Sequence, residues 1–161
     1  MEASACREQL ATILAQHVAT LGELAVLLDR EHAHLSANEV TALETVMRER
    51  HQCVARLVRA DEERRSLCRA VSHEPDMQGM ERLLRWCDPR GTLVSAWSQC
   101  AVTAAQCRML NDRNGALVSA RLKHVQARLA ALIKDRKEPV TYGRQGNYAT
   151  SSLGRVLATE A

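Results

Sequence analysis

Apolar residues recur at alternating steps of three and four along most of this 161-residue chain. Side chains at that spacing lie on one face of an α-helix and pack against a near-parallel neighbour. Only three prolines and seven glycines interrupt the pattern, and aromatic residues, which strands favour, make up 2% of the chain. We therefore predict an all-α protein, an antiparallel helical bundle or coiled coil of three long helices and one short helix, with a C-terminal tail.

The first two long helices follow directly from this spacing. The first is predicted from Ser4 to about His34, and the second begins at a capping box made by Ser36 and Glu39. The second apolar stripe turns charged around Arg64, so we expect its later half to be less buried and to carry weak surface ion pairs. The predicted stripes are Leu10, Leu14, His17, Leu21, Leu24, Leu28 and Leu35, and then Val40, Leu43, Met47, Arg50, Val54, Leu57, Asp61, Arg64, Cys68 and Val71.

A short helix and the longest helix follow. The short one is predicted from Asp76 to Cys87, with Asp88 as the N-cap of the last helix and Pro89 at its first position. The last helix ends near Lys137, which divides the chain into a helical domain, 1–137, and a flexible tail, 138–161. The apolar side of the short helix is Met80, Leu83, Leu84 and Cys87, and the last helix carries Leu93, Trp97, Cys100, Ala104, Cys107, Asn111, Asn114, Val118, Leu122, Val125, Leu129 and Leu132.

A polar run interrupts the last stripe. Asn111 and Asn114 both occupy apolar positions one turn apart, where a buried amide must find hydrogen-bond partners. Two interpretations are open: the asparagines fix the register of the bundle, or they serve a function. Gly115 beside them predicts either the close approach of another backbone or a bend in the helix.

The tail holds both tyrosines of a chain that has no phenylalanine. Its residues from Pro139 onward form turns and show no apolar period, apart from a short amphipathic segment from Ser151 to Ala158. A segment this polar has no core of its own, so we expect the tail to bind a partner.

Charge is distributed unevenly. From Arg108 to Lys137 there are eight Lys or Arg against two Asp, whereas the first forty residues are acidic. Either the cations complement the dipole at the end of a long helix, or they form a basic face for a partner. Nucleic acid is not the expected partner, because the segment lacks interleaved aromatic residues and a recognised binding motif.

The sequence shows no arrangement typical of catalysis, and we expect neither an enzyme nor a cofactor. Glu31 and His34 form one E-x-x-H, but a di-iron bundle needs two. Cys100 and Cys107, one heptad apart on the apolar stripe, are expected to be core residues. The absence of C-x-x-C pairs, of a signal peptide at the N-terminus and of an apolar run near the roughly 20 residues of a membrane span predicts a soluble, cytoplasmic protein.

Three groups of residues together resemble the FlgN family of flagellar export chaperones. The three groups span most of the chain. The second and third, found together and in this order, are more specific to the family than the first. The groups are Leu28-Asp29-x-Glu31-x-x-x-Leu35, Leu110-Asn111-x-x-Asn114-Gly115 and Glu138-Pro139-x-x-Tyr142-Gly143-x-x-Gly146.

The resemblance implies a cytoplasmic, non-enzymatic helical chaperone that binds the hook–filament junction (hook-associated) proteins through their C-terminal helices and delivers them to the flagellar type III export gate. It places docking on the export gate at Tyr142 and Gly143, although a second tyrosine, Tyr148, follows. It places client binding in the C-terminal helical region, from about Asn114 to Ile133. From the apolar spacing of that region we expect Asn114, Val118, Leu122, Val125 and Leu129 to bind a client helix, and we expect structural roles for Asn111 and Gly115. The same spacing equally fits a structural or regulatory coiled coil that forms a homodimer through this helix.

Overall fold

A computed structural model describes residues 2–71 and 73–135 of the chain. The described residues form four α-helices and no strand, which confirms the predicted fold class. The tail predicted for 138–161 lies outside the described residues. The helices are α1 (Ala3–Ala37), α2 (Val40–Ala70), α3 (Met77–Cys87) and α4 (Val94–Asp135).

The chain divides into two compact units, Met1–Val118 and Ser119–Ala161. The first unit contains α1, α2, α3 and the first part of α4. In the second unit the described residues are those of α4 from Ser119 onward.

Helix α1 is the centre of the first unit, and its predicted stripe is confirmed. All seven residues of that stripe are buried, including His17, whose Nδ1 lies 3.1 Å from the carbonyl oxygen of Ile13. Helices α2 and α3 pack against α1, and so does the first part of α4 through its hydrogen bonds.

The order of the contacts gives the helix directions. Ion pairs join Arg30 to Glu49 and Glu23 to Arg56, so α2 runs antiparallel to α1. Helix α4 runs parallel to α1, because residues one heptad apart on α4 donate to carbonyl oxygens one heptad apart on α1 in the same order. These bonds are Cys100 Sγ to Leu14 O, Cys107 Sγ to Leu21 O and Asn114 Nδ2 to Leu28 O, at 3.9, 3.5 and 2.8 Å.

The capping box predicted between α1 and α2 is wrong. Ser36 lies inside α1, and the cap residue of α2 is Glu39, whose side chain does not cap the helix but lies 2.7 Å from Nδ1 of His34. The turn forms instead because Asn38 adopts a left-handed conformation with φ 61°, and the amides of the turn bond the last carbonyls of α1. Asparagine is one of the few residues that tolerate this backbone.

The buried face of α2 differs from the predicted stripe. Val46, Cys53, Ala60 and Leu67 face the core at strict heptad intervals, whereas Val40, Met47 and Val54 are exposed. The later half is also more buried than expected. Arg64, Leu67 and Cys68 are all buried, with the Arg64 guanidinium 5.8 Å from the Trp97 ring centroid and ion-paired to Asp61.

Helix α3 agrees with the prediction to within one residue. Asp76 is its N-cap and accepts a 2.6 Å hydrogen bond from the amide of Gly79, and the four predicted apolar residues are buried. Asp88 is not the N-cap of α4, which begins five residues later than predicted, at Val94. Asp88 orders the intervening turn by accepting from the amide of Leu93, the hydroxyl of Thr92 and the guanidinium of Arg7.

Helix α1 is long and apolar enough to cross a membrane by length and composition, contrary to the expectation from sequence. Between Gln9 and Val26 only Glu23 is charged. Length and composition are weak evidence, since the core helix of a bundle passes the same test. In this fold the leucines of α1 are buried against the other helices.

Candidate partner-binding surface

Helix α4 is continuous through the polar run that interrupts its apolar stripe, as the sequence predicted for one long last helix. We define the exposed stripe as Val118, Leu122, Val125, Leu129 and Leu132, which alternate steps of four and three and so share one face of the helix. The face extends about 21 Å at the usual helical rise.

Within residues 2–71 and 73–135, nothing buries the exposed stripe anywhere along its length. The side chains of Val118, Leu122, Val125 and Leu129 are 48, 57, 52 and 53% exposed, and Leu132 is 67% exposed. After Asn114, no described residue of α4 up to Ile133 is buried. A contiguous apolar face of this kind is typical of a protein-binding surface.

The charges beside the exposed stripe have one sign. Arg121, Lys123 and Arg128 lie in this segment of α4, and no Asp or Glu occurs between residues 113 and 134. This basic face can complement the helix dipole and still attract an acidic partner.

Asn114 lies outside the exposed stripe, inside the bundle. Its side-chain amide donates to the carbonyl oxygen of Leu28 at 2.8 Å and to the Glu31 carboxylate at 3.2 Å, and its oxygen lies 3.0 Å from Nδ1 of His32. Only 3% of Asn114 is exposed, and its amide is fully used within the bundle. Burial favours a structural role for Asn114, and the client contact predicted for it stays a prediction.

Asn111 is exposed, and its oxygen accepts a 3.3 Å hydrogen bond from Arg50 of α2. The same guanidinium donates to Glu31 at 3.1 Å. These five residues, Glu31, His32, Arg50, Asn111 and Asn114, form what we call the polar junction, which links α1, α2 and α4. Because hydrogen-bonded groups at core positions fix helix register, the junction supports the register interpretation of the two asparagines.

The spacing of Glu31 in the sequence could have predicted the polar junction. Glu31 falls between Leu28 and Leu35 at the same steps of three and four as the leucines, so it interrupts the stripe of α1 just as Asn114 interrupts that of α4. Two polar residues on facing apolar stripes are expected to meet, because neither can be buried alone.

Glu31 and His34, considered for a metal motif, have other partners here. Glu31 belongs to the polar junction, and His34 lies beside Glu39. Within residues 2–71 and 73–135 no group of three or more His, Cys, Asp or Glu side chains is arranged to hold a metal ion.

Of the two interpretations of Gly115, the close approach of another backbone is not found among the described residues, since a Cβ built there would meet none of their atoms within 4 Å. The structural role predicted for Gly115 stays a prediction. Gly115 is exposed, and α4 is helical on both sides of it.

The six cysteines are free thiols and all are buried, which confirms the core assignment of Cys100 and Cys107. Burial raises the pKa of both thiols, and burial next to Cys87 raises the pKa of Cys6 to about 11. The thiols are therefore protonated near neutral pH and act as small apolar side chains and weak donors.

The remaining predicted site residues, Tyr142 and Gly143, lie outside the described residues, as does Tyr148. Their assignment to export-gate docking stays a prediction.

Comparison with known proteins decides the family. The family model described as FlgN protein matches residues 1–150, which is most of the chain. The chain belongs to the FlgN family.

A curated relative extends this result. The Flagella synthesis protein FlgN of Escherichia coli (strain K12) is 26% identical over 148 residues, which cover 91% of this chain and 94% of the relative. No solved structure matches the chain significantly. Neither the family description nor the name of the relative describes an enzyme, and membership supports the class of function that the resemblance implied, a chaperone of flagellum synthesis.

Proposed function

We propose that this FlgN-family protein is a cytoplasmic export chaperone that binds the hook–filament junction proteins and delivers them to the flagellar type III export apparatus. Family membership supports the flagellar role. The observation that carries the proposal further is the exposed stripe, five large aliphatic side chains on one face of α4, each at least 48% exposed.

The stripe suits reversible binding of a client helix. An amphipathic client helix packs its apolar side chains between those of α4, as helices do in a groove or a coiled coil. Covering five half-exposed side chains contributes on the order of 5 kcal/mol before the entropic cost of association is subtracted. Such a contact protects the client from premature assembly and still permits its release at the export gate.

The basic flanks of the stripe select among amphipathic helices. A client helix with carboxylates beside its apolar face meets Lys123 and Arg128 favourably, whereas a basic helix is repelled. Exposed charges of this kind chiefly accelerate association, so client binding is expected to slow as salt increases.

The test replaces two leucines of the stripe. Leu122→Asp combined with Leu129→Asp is expected to abolish co-purification with the junction proteins, because two carboxylates would be buried without partners. The matched control is Ala120→Asp combined with Ala127→Asp, which adds the same charges at the same spacing on the opposite, exposed face of α4.

The control should retain the complex. Complex retained by the leucine variant, with helicity unchanged by circular dichroism, rejects the stripe as the client site. Equal loss in both variants attributes the effect to charge alone and rejects it as well.

The exposed stripe equally supports a homodimeric coiled coil, the second candidate function. Light scattering of the purified chain separates the two. A tight dimer that the leucine variant dissociates, without affinity for the junction proteins, favours the coiled coil over the chaperone.

Delivery to the export gate is proposed to use Tyr142 with Gly143. Tyr142→Ala is expected to leave client binding intact and to weaken a pull-down with the cytoplasmic domain of the export gate, with Tyr148→Ala as the matched control. Loss of client binding together with gate binding contradicts separate roles for the stripe and Tyr142, and a loss confined to Tyr148→Ala moves the docking residue.

A further inference from the structure

A second apolar surface lies entirely within the first unit. Two adjoining cavities, of about 650 and 440 Å³, share the lining residues Leu21, Val54, Leu57, Ala104 and Arg108. They therefore form one continuous channel, which we call the α2/α4 groove. Its floor is α1 and its walls are α2 and α4.

The groove exists because each wall packs on α1 more closely than on the other wall. Cys53 of α2 and Cys107 of α4 both donate to carbonyl oxygens of α1. On the α4 wall the side chains include Ala101 and Ala104, which are too small to fill the space between α2 and α4. Apolar residues of the other wall remain uncovered as a result, with Val54 40% and Val58 58% exposed.

The dimensions of the groove match one helix. Along α2 it extends from Arg50 to Arg65, which is about 22 Å at the usual rise per residue. An occupant of about 15 helical residues, with leucine-sized side chains every three or four positions, would lie between α2 and α4. Together with α1, α2 and α4 it would form a four-helix packing arrangement.

The charges that line the groove specify the occupant further. All but two of them are ion-paired within the bundle, and the two exceptions are Arg108 and Asp112, one turn apart on the α4 wall. Neither has a hydrogen bond or an ion pair with any described residue. The paired groups are Arg50 with Glu31, Asp61 with Arg64 and Arg65, and Glu62 with Arg69.

We propose that the α2/α4 groove binds an amphipathic helix of a partner protein that carries a carboxylate to face Arg108 and a cation one turn away to face Asp112. This site is separate from the exposed stripe and does not depend on the proposed client binding there. Its partner is defined by the apolar face of the helix and by this pair of opposite charges.

By sequence, neither the exposed stripe nor the apolar segment after Pro139 matches the groove. Its exposed stripe has the right length, but no Asp or Glu occurs between residues 113 and 134 to face Arg108. Beyond Pro139 the sequence has helical apolar spacing only from Ser151 to Ala158, eight residues that would span about 12 Å, roughly half of the groove. Length and charge therefore favour a different protein over a second copy or the tail.

The first experiment measures binding of a designed probe to the full chain by fluorescence anisotropy. The probe is a labelled 18-residue peptide with leucines at heptad spacing and one Glu and one Lys four positions apart at the edge of its apolar face. Val54→Asp combined with Val58→Asp is expected to weaken binding about tenfold or more, because carboxylates replace two apolar contacts. Val58→Asp alone, at a well-exposed position, gives a smaller loss and serves if the double variant does not fold.

The matched control is Val26→Asp combined with Val102→Asp, two valines that are 60 and 68% exposed and lie outside the groove. Unchanged binding in this control supports the groove. An equal loss in the control, or a loss that appears only with Leu122→Asp and Leu129→Asp, overturns the proposal.

The second experiment tests the charge pattern. Arg108→Glu makes both unpaired charges negative and Asp112→Lys makes both positive, so peptides with two Lys or two Glu should exchange preference between the two variants. The expected change is about threefold to fivefold in each direction, as for exposed ion pairs, with no change for a peptide with two Gln.

Absence of this exchange of preference rejects the charge assignment. Tighter peptide binding after removal of residues 136–161 identifies the tail as the occupant, and a dimer that Val54→Asp and Val58→Asp dissociate in light scattering identifies a second copy. Either outcome overturns the partner proposed here.

Discussion

Two parts of α4 carry the same apolar spacing with opposite results. From Cys100 to Asn114 the residues at heptad intervals are 3–5% exposed, and all three donate hydrogen bonds to carbonyl oxygens of α1. From Val118 to Leu132 the residues that continue the same stripe are 48% exposed or more. The spacing determines which face of a helix is apolar, whereas a neighbouring element determines whether that face is buried. Large aliphatic residues on an uncovered continuation of a core stripe therefore indicate a place for a partner.

The difference between the buried core and the exposed stripe is tested most directly by one leucine-to-alanine substitution in each. Leu21→Ala, at a position 5% exposed and beside Cys107, is expected to lower the free energy of unfolding by about 2–5 kcal/mol, since it leaves a cavity. Leu122→Ala, at a position 57% exposed, should change it by less than about 0.5 kcal/mol. Urea denaturation followed by circular dichroism measures both. A similar loss for the two variants would show that the exposed stripe is covered within the chain.

The polar junction tests where the buried part of α4 ends. Asn114→Ala removes three hydrogen bonds, those with Leu28, Glu31 and His32, and leaves the Glu31 carboxylate with Arg50 alone. The expected loss of stability is about 1–3 kcal/mol, because the buried Glu31 carboxylate and the buried Leu28 carbonyl oxygen each lose a donor. Asn111→Ala is the matched control, one turn away and exposed, and should lose less than about 1 kcal/mol. Equal losses would contradict the burial difference between the two asparagines.

The turn before α4 makes the stability of the folded chain depend on pH through Asp88. The hydrogen bond from the amide of Leu93, together with Thr92 and Arg7, holds the pKa of Asp88 below its ordinary value. A carboxyl group with a lowered pKa in the folded state stabilises the fold above its unfolded pKa of about 3.9, and that contribution disappears as the pH falls through the lower, folded value. The difference in melting temperature between the wild type and Asp88→Asn should therefore be largest near neutral pH and shrink below about pH 4.

Asp29, in an exposed ion pair with Arg113, provides the control for Asp88. Asp29→Asn should change the melting temperature less at every pH, because exposed pairs contribute little. A constant difference between wild type and Asp88→Asn across the acid range would show that the carboxylate charge does not stabilise the turn.

The sequence predicts most where every choice of face is buried or only one exists. On α1 the apolar neighbours Ile13 and Leu27 are buried as well as the stripe, so all seven predicted residues are buried although the helix offers more than one apolar face. Helix α3 is unambiguous, since Asp76 caps it and its four apolar residues lie together.

On α2 the choice was open. Val46 precedes Met47, and Cys53 precedes Val54, so adjacent apolar residues offer two faces one position apart. The neighbours on α1 select the earlier residue of each pair, and no local pattern records where those neighbours lie. The burial of Arg64 has the same origin, because the ring of Trp97 and the carboxylate of Asp61, which accommodate it, come from the packed structure.

For the candidate site, the apolar spacing of the sequence predicted the last helix and the residues of the exposed stripe. The assignment of Tyr142 and Gly143 to export-gate docking came only from the resemblance to the FlgN family. The hydrogen bonds of Asn114 could not be assigned from a single helix, because they depend on which residue of α1 lies opposite. Parallel packing of α1 and α4 places Glu31 there.

The smallest expected effect concerns the residue where the two parts of α4 meet. Gly115→Ala should raise stability by about 0.5–1 kcal/mol, since alanine favours the helix and its Cβ would meet nothing within 4 Å. Gly22→Ala on α1, where the space is also open, should give a similar gain and serves as the control. If α4 needs no bend to bind a client, the Gly115 variant gains stability and still co-purifies with the junction proteins. A gain of stability joined to a loss of client binding, seen at Gly115 and not at Gly22, would show that the exposed stripe works through bending at this glycine.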